Sequence, residues 1–290
     1  MTRGRATAIG FVAVLLWALL ALFTVGSAPV PPLQLNAICF SIGGVCGLVW
    51  TVRSGGLSQL RRIGWRVYAF GTAGLFGYHA LYFSALRLAP AAEAGLIAYL
   101  WPLLIVLLSG FLPGERLRPG HVLGGLLGLA GAALIVLRGG TGLSQTALPG
   151  YALAFLCALT WATYSVLSRR LGAIPTASVT VFCLATAALS LPLHLAFETT
   201  AWPTAPMGWA AIAALGLGPV GLAFYVWDIG VKQGDIQLLG VASYAAPLLS
   251  TLILVASGIA DATPSLFLAA MLITTGAALA ARASAKKHQA

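Results

Sequence analysis

Apolar runs of about twenty residues follow one another almost without pause through this chain, and that spacing leaves it one solvent. A helix of such a length, rising ~1.5 Å per residue, crosses the ~30 Å hydrocarbon core of a bilayer. Composition agrees: of 290 residues 60% are hydrophobic and 8% charged, with a mean hydropathy of +0.96, whereas soluble domains carry ~25% charge. The runs fall at about 7–26, 35–52, 67–86, 91–112, 119–136, 148–167, 175–197, 207–230, 236–259 and 265–281. An all-α, polytopic integral membrane protein with ten transmembrane helices is expected. Arg3 and Arg5 before the apolar run 8–25 resemble a secretory signal, but the close succession of further runs favours an uncleaved first helix.

The basic residues orient this bundle. Of sixteen Lys and Arg, all but Arg87 and Arg138 fall at the ends that share a side with the amino terminus, including Arg53, Arg61, Arg62, Arg66, Arg116, Arg118, Arg169, Arg170, Lys232, Arg282, Lys286 and Lys287. Cytoplasmic loops collect cations, so both termini are expected in the cytoplasm. The net charge of +10 is therefore a topological signal and not a nucleic-acid surface, since no basic domain carries it.

The chain also repeats itself. Residues 78–102, YHALYFSALRLAPAAEAGLIAYLWP, shifted by 145, meet FYVWDIGVKQGDIQLLGVASYAAP, so that Arg87 pairs with Lys232, Gly95 with Gly240, Tyr99 with Tyr244 and Pro102 with Pro247. Trp17-Ala18 pairs with Trp161-Ala162 at a shift of 144, although Gly10 meets Ala154. Halves at 1–140 and 141–290 with five crossings each enter the membrane from opposite sides, which turns a sequence duplication into two inverted five-helix repeats around a central cavity. Proline inside a membrane helix frees a carbonyl and bends the rod. Pro102 and Pro247 are accordingly candidate hinges, and matched breaks in two halves point to a transport site between them.

Candidate cavity residues follow from these breaks. Tyr78 and Tyr82 lie four apart on one helical face, with His79 beside them. Tyr99 and Trp101 bracket the first break; Ser243 and Tyr244 precede the second; Tyr225 and Trp227 occupy the eighth run, and Trp17, Trp161 and Tyr164 the first and sixth. Flat amphipathic rings of this kind stack an aromatic solute for ~1 kcal/mol per pair. Cavity lining and helix packing both fit Tyr82, Tyr99, Trp101 and Tyr244, whereas Trp50, Trp65, Tyr68, Tyr151, Trp202 and Trp209 near run ends read as membrane-interface anchors. His79, Glu93 and Asp228 are candidate proton or polar sites, with hydrogen-bonded packing or capping as the competing role. Backbone groups exposed at the breaks, with Ser243, are expected to hold a zwitterion's charges.

Other chemistries lack their residues. The four cysteines lie inside apolar runs with no CxxC spacing, and His79, His121, His194 and His288 are scattered, so no metal and no cofactor is expected. There is no HExxH or GxSxG motif. Gly120, Gly124, Gly128 and Gly131 lack a following Lys-Ser/Thr, so they are no phosphate loop and imply no ATPase. With Gly43, Gly44 and Gly47 they read as close helix packing, in a monomer or a weak homodimer.

Residues 85–117, ALRLAPAAEAGLIAYLWPLLIVLLSGFLPGERL, with their Gly114-Glu115-Arg116-Leu117 turn and the glycine-rich stretch 125–139, resemble EamA-type transporters of the drug/metabolite transporter superfamily. Residues 232–254, KQGDIQLLGVASYAAPLLSTLIL, resemble its bacterial aromatic amino acid exporter branch. The second half departs by placing Gly258, Ile259, Ala260 and Asp261 where the first has Gly-Glu-Arg-Leu. The resemblance implies ten helices around a cavity in the bacterial inner membrane, exporting phenylalanine, tyrosine and tryptophan. A broader drug or metabolite exporter is the alternative, and a membrane-embedded enzyme a more distant one.

Overall fold

A computed structural model describes residues 1–137, 145–258 and 263–285, and its regular elements are all helical. Arg138, Asp261, Lys286, Lys287 and His288 lie outside the described residues. In chain order the helices are α1 (Arg3–Ala18), α2 (Leu20–Gly26), α3 (Pro32–Arg53), α4 (Leu57–Leu60), α5 (Trp65–Leu88), α6 (Ala91–Ala98), α7 (Trp101–Ser109), α8 (Pro119–Val136), α9 (Leu148–Arg170), α10 (Ser178–Phe197), α11 (Pro206–Leu217), α12 (Ala223–Gln233), α13 (Ile236–Ala242), α14 (Ala245–Ala256) and α15 (Pro264–Ala285). Several join end to end into longer stretches: α1 with α2, α6 with α7, α13 with α14, and α11 with α12 through a π-helical segment, Gly218–Leu222.

Among the described residues eight stretches are long and apolar enough to cross a membrane. Two of the ten expected from the sequence are not of that kind. α5 has 24 residues, but Tyr78, His79 and Tyr82 dilute its apolar character. Glu93–Ser109 is apolar but short. Both stretches line the interior cavity, where polarity and a broken axis are tolerated because the backbone is not facing lipid.

Helix starts are satisfied in the ways hydrocarbon demands. Pro32 and Pro119 occupy first-turn positions, where a missing N–H costs nothing. The Glu198 carboxylate, at the end of α10, accepts from Leu33 N–H at 3.0 Å and Gln34 N–H at 3.1 Å, closing the start of α3. Asp235 caps α13 by accepting from Leu238 N–H at 3.0 Å. The two Tyr-x-x-Pro stretches do break, but ahead of the prolines: at Tyr99–Leu100 and at Ser243–Tyr244, with Pro102 and Pro247 seated in the first turns of α7 and α14.

Pairing runs across the two halves: α8 packs along α15, α3 along α10, α5 along α9 and α1 along α12. Glycine sets the α8–α15 distance. A methyl built on Gly124 would lie 2.5 Å from the Gly276 carbonyl oxygen, and one on Gly120 3.0 Å from Ala283 Cβ. The glycines singled out in the sequence thus serve contacts within one chain; Gly43 likewise meets Gly221, and Gly44 meets Leu184.

Candidate functional site

Four tryptophans from four helices meet near the middle of the bundle: Trp17 of α1, Trp101 of α7, Trp161 of α9 and Trp227 of α12. Trp17 lies 5.9 Å from Trp101, 5.9 Å from Trp161 and 5.1 Å from Trp227, ring centre to ring centre. The remaining pairs close the set, with Trp101 at 6.4 Å from Trp161 and 5.8 Å from Trp227, and Trp161 stacked 6.3 Å from Trp227. Edge-to-face and offset contacts of this sort are worth ~0.5–1.5 kcal/mol each beyond burial. The indole nitrogens are anchored from behind: Trp17 Nε1–H donates to the Pro219 carbonyl at 3.1 Å, and Trp227 Nε1–H to Ser165 Oγ at 3.1 Å. The π-helical segment makes the first bond available, because a widened turn leaves a carbonyl outside the helical ladder.

Beside three of these indoles is a cavity of about 150 Å³, also lined by Leu20, Tyr78, His79, Tyr82, Gly95, Ala98, Tyr99, Pro219, Val220, Phe224 and Ala246. That is roughly the volume that takes up one benzene ring. It extends toward the end of the bundle opposite Arg3, where Leu20, Tyr82 and Gly95 stand. None of its lining residues is a carboxylate, lysine or arginine. Tyr78 stacks on Tyr82 at 6.2 Å and lies 5.5 Å from Trp161. His79 Nδ1–H donates to the Leu75 carbonyl at 2.7 Å, which leaves Nε2 as the acceptor nitrogen of the neutral ring.

Of the residues expected from the sequence, Trp17, Tyr78, His79, Tyr82, Tyr99, Trp101 and Trp161 come together at this cavity, and Trp227 stands behind its floor. The others are placed elsewhere. Tyr164 is buried against Gly74 and stacks on Phe70 at 5.6 Å. Tyr225 donates to the Gly43 carbonyl at 3.1 Å, between α3 and α10. Ser243, just past the end of α13, donates back to that helix's Leu239 carbonyl. Tyr244 is wholly buried on Gly128, and its hydroxyl oxygen accepts from Leu103 N–H at 3.2 Å. Glu93 is bonded by the Tyr151 hydroxyl, and Asp228 pairs with Lys232 at 2.9 Å and accepts from Thr176 at 2.7 Å, so neither carboxylate reaches the cavity.

Phe40 and Phe224 were missed. They stack at 5.3 Å, and His79 stands 5.0 Å from Phe40 and 6.2 Å from Phe224. The 145 shift carried the signal for Phe224, since it pairs that residue with His79.

The end bearing Arg3 is closed by charge. Arg169 donates to Glu115 at 2.6 Å; Arg3 lies 3.2 Å from Glu115 and 3.2 Å from Asp235. Burial pushes the Asp235 carboxyl up, but the Leu238 N–H and the Arg3 guanidinium pull it down further, and it is held below the ordinary carboxylate range. It is ionised at neutral pH. Among the described residues no group of three His, Cys, Asp or Glu could hold a metal ion.

A profile of the EamA-like transporter family matches residues 5–137 and again residues 148–282. The chain belongs to the EamA-like transporter family. It is a multi-pass membrane protein of a family of transporters, not of enzymes. It is 56% identical over 97% of its length to a protein named aromatic amino acid exporter YddG of Ancylobacter novellus, covering 98% of that protein. A protein of the same name from Salmonella typhimurium is 29% identical over 87% of this chain and 88% of its own. A solved crystal structure superposes with a TM-score of 0.93 at 55% identity, covering 96% of this chain and 97% of that one.

Proposed function

We propose that this EamA-family member exports aromatic amino acids across a bacterial inner membrane by alternating access, with ten crossings in two inverted repeats, 1–140 and 141–290, and both termini cytoplasmic. α5 and the α6–α7 stretch supply the two crossings that hydropathy alone does not mark. The inverted arrangement is supported by its contacts. α1 packs on α12 through Gly10 and Gly230, and the equivalent positions in the α9–α5 pair, Ala154 and Ala85, share one buried cluster.

The observation that carries the substrate is the uncharged, ring-walled cavity closed by tryptophan. An aromatic side chain stacks among Tyr78, Tyr99 and Trp101, while the ammonium lies over ring faces for ~0.5–2 kcal/mol and the carboxylate takes tyrosine hydroxyls. Such contacts are weak enough to release. The relatives named as aromatic amino acid exporters agree with this assignment.

Purified protein in proteoliposomes is expected to move phenylalanine, tyrosine or tryptophan about ten- to a hundredfold faster than leucine or lysine. Tyr99→Ala or Trp101→Ala lowers that flux about tenfold, the equivalent of ~1.4 kcal/mol, and Trp50→Ala on the lipid face leaves it unchanged. Lysine preferred over all three aromatic substrates would overturn the assignment. The lack of charged lining favours a second reading, a carrier of broader specificity, which a competition panel of uncharged aromatic compounds separates from the first. For topology, cysteines placed at Leu57 and Trp202, both exposed, are expected to be shielded and labelled, respectively, by an impermeant maleimide in intact cells; the opposite pattern inverts the orientation.

A further inference from the structure

The Gly114-Glu115-Arg116-Leu117 turn has no place in the cavity, yet its carboxylate is among the least exposed charges in the molecule, with 2% of the Glu115 side chain accessible. It receives Arg169 from the end of α9 and Arg3 from the start of α1. Arg169 also donates to the carbonyls of Val231 at 2.9 Å and Gly234 at 2.8 Å, where α12 ends. Arg3 reaches on to Asp235, whose own N–H donates to Thr7 Oγ1 at 2.8 Å. Two of the three acid–base links, Glu115 to Arg169 and Asp235 to Arg3, tie one half of the chain to the other.

The elements joined here are α1, the turn after α7, α9 and the end of α12. Those same four helices supply Trp17, Trp101, Trp161 and Trp227. A path from this end to the cavity therefore crosses the charges as well as the indoles. The repeat gives the opposite end no such set. At the 144 or 145 shift Arg3 meets Ala147 or Leu148, Arg169 meets Val25 or Thr24, Asp235 meets Ala91 or Pro90 and Glu115 meets Ile259 or Ala260, all of them uncharged.

We infer that Arg3, Glu115, Arg169 and Asp235 form an ionic latch, which holds the end bearing Arg3 shut and must break for cargo to enter from that side. At the other end Arg87 lies 3.6 Å from Glu198 with its own side chain 53% exposed, so that pair is screened by solvent and holds less. The inference rests on the alternating-access reading. Removing one member of a buried ion pair leaves its partner charged and uncompensated, so the closed state suffers more than a hydrated open one. A shift of one decade in the open-to-closed ratio follows from losing a single well-formed pair.

The test measures distances in the full-length protein without substrate, so its outcome is separate from that of the flux panel. Spin labels at Arg116→Cys and Ala173→Cys, exposed positions on the two halves beside the latch, are placed in a Cys46→Ala background and read by pulsed electron resonance. Glu115→Gln is expected to raise the ratio of long to short distances about tenfold, Arg3→Gln to raise it less, and Glu115→Asp to keep it within about twofold of the parent. Asp228→Asn breaks a buried pair whose further bonds, to Thr176 and Ile174, stay within the second half, and it is expected to leave the ratio unchanged, although it weakens the fold. The latch is overturned if Glu115→Gln and Arg3→Gln both give the parent's distribution in folded protein, or if Asp228→Asn moves it as far as Glu115→Gln does.

Discussion

Tyr99 and Tyr244 hold the same place in the two halves, three residues ahead of a proline in the first turn of a following helix, yet their surroundings differ. Tyr99 stands in the cavity wall. Tyr244 is wholly buried, its ring seated on Gly128 of α8 and its hydroxyl oxygen satisfying the Leu103 N–H beside the other half's break. One position marks the difference. At the 145 shift Gly128 corresponds to Ile273 of α15, a buried side chain that packs on Gly131 in the same cluster as Tyr244, so the bare backbone that seats the Tyr244 ring has no counterpart in the other half. Two copies of a motif thus have different surroundings, one in the cavity wall and one joining the halves on a glycine of a neighbouring helix.

The comparison can be broken most forcefully at its seat. Gly128→Ala puts a methyl group into the space of the Tyr244 ring, and an overpacked core typically costs ~1–3 kcal/mol; the thermal midpoint in detergent should fall accordingly. A variant that melts with the parent would mean that Gly128 does not fix Tyr244. Next in size is Tyr244→Phe, which strands the Leu103 amide in the bundle interior for ~1–2 kcal/mol. The smallest stability effect is expected for Tyr99→Phe, under ~0.5 kcal/mol, accompanied by a lower aromatic flux. Equal stability losses in the two phenylalanine variants, with flux untouched in both, would show that the tyrosines are equivalent after all.

Much of the cavity was legible because the repeat and the helical period constrain each other. Trp17, Tyr78, Tyr82, Tyr99, Trp101 and Trp161 follow from the breaks and from the 144 and 145 shifts. Tyr225 shows what was overlooked: residues two apart on a helix point to nearly opposite sides, so Tyr225 and Trp227 cannot both face inward, whereas Phe224 and Trp227, three apart, can. The pairing of Asp228 with Lys232 was equally readable as an (i, i+4) contact on one face. Glu93 was not. Its partner Tyr151 is 58 positions away and had every appearance of an interface anchor. The π-helical segment at Gly218–Leu222 was also out of reach, since its glycines and proline fit a plain kink as well as a widened turn.

The glycine seam between α8 and α15 has a consequence for how the chain is made. Its two members are separated by 145 positions of synthesis: at about 5–20 residues per second, α8 leaves the ribosome on the order of ten to thirty seconds before α15. During that interval a helix whose flank is bare backbone has no mate, and the surface that will meet Gly276, Ala280 and Ala283 is covered by lipid or by whatever assists insertion. The bundle is finished by its last helix. A nascent chain that stalls before residue 264 carries every residue that lines the cavity, yet leaves exposed the α8 face on which Gly124 meets the backbone of Gly276.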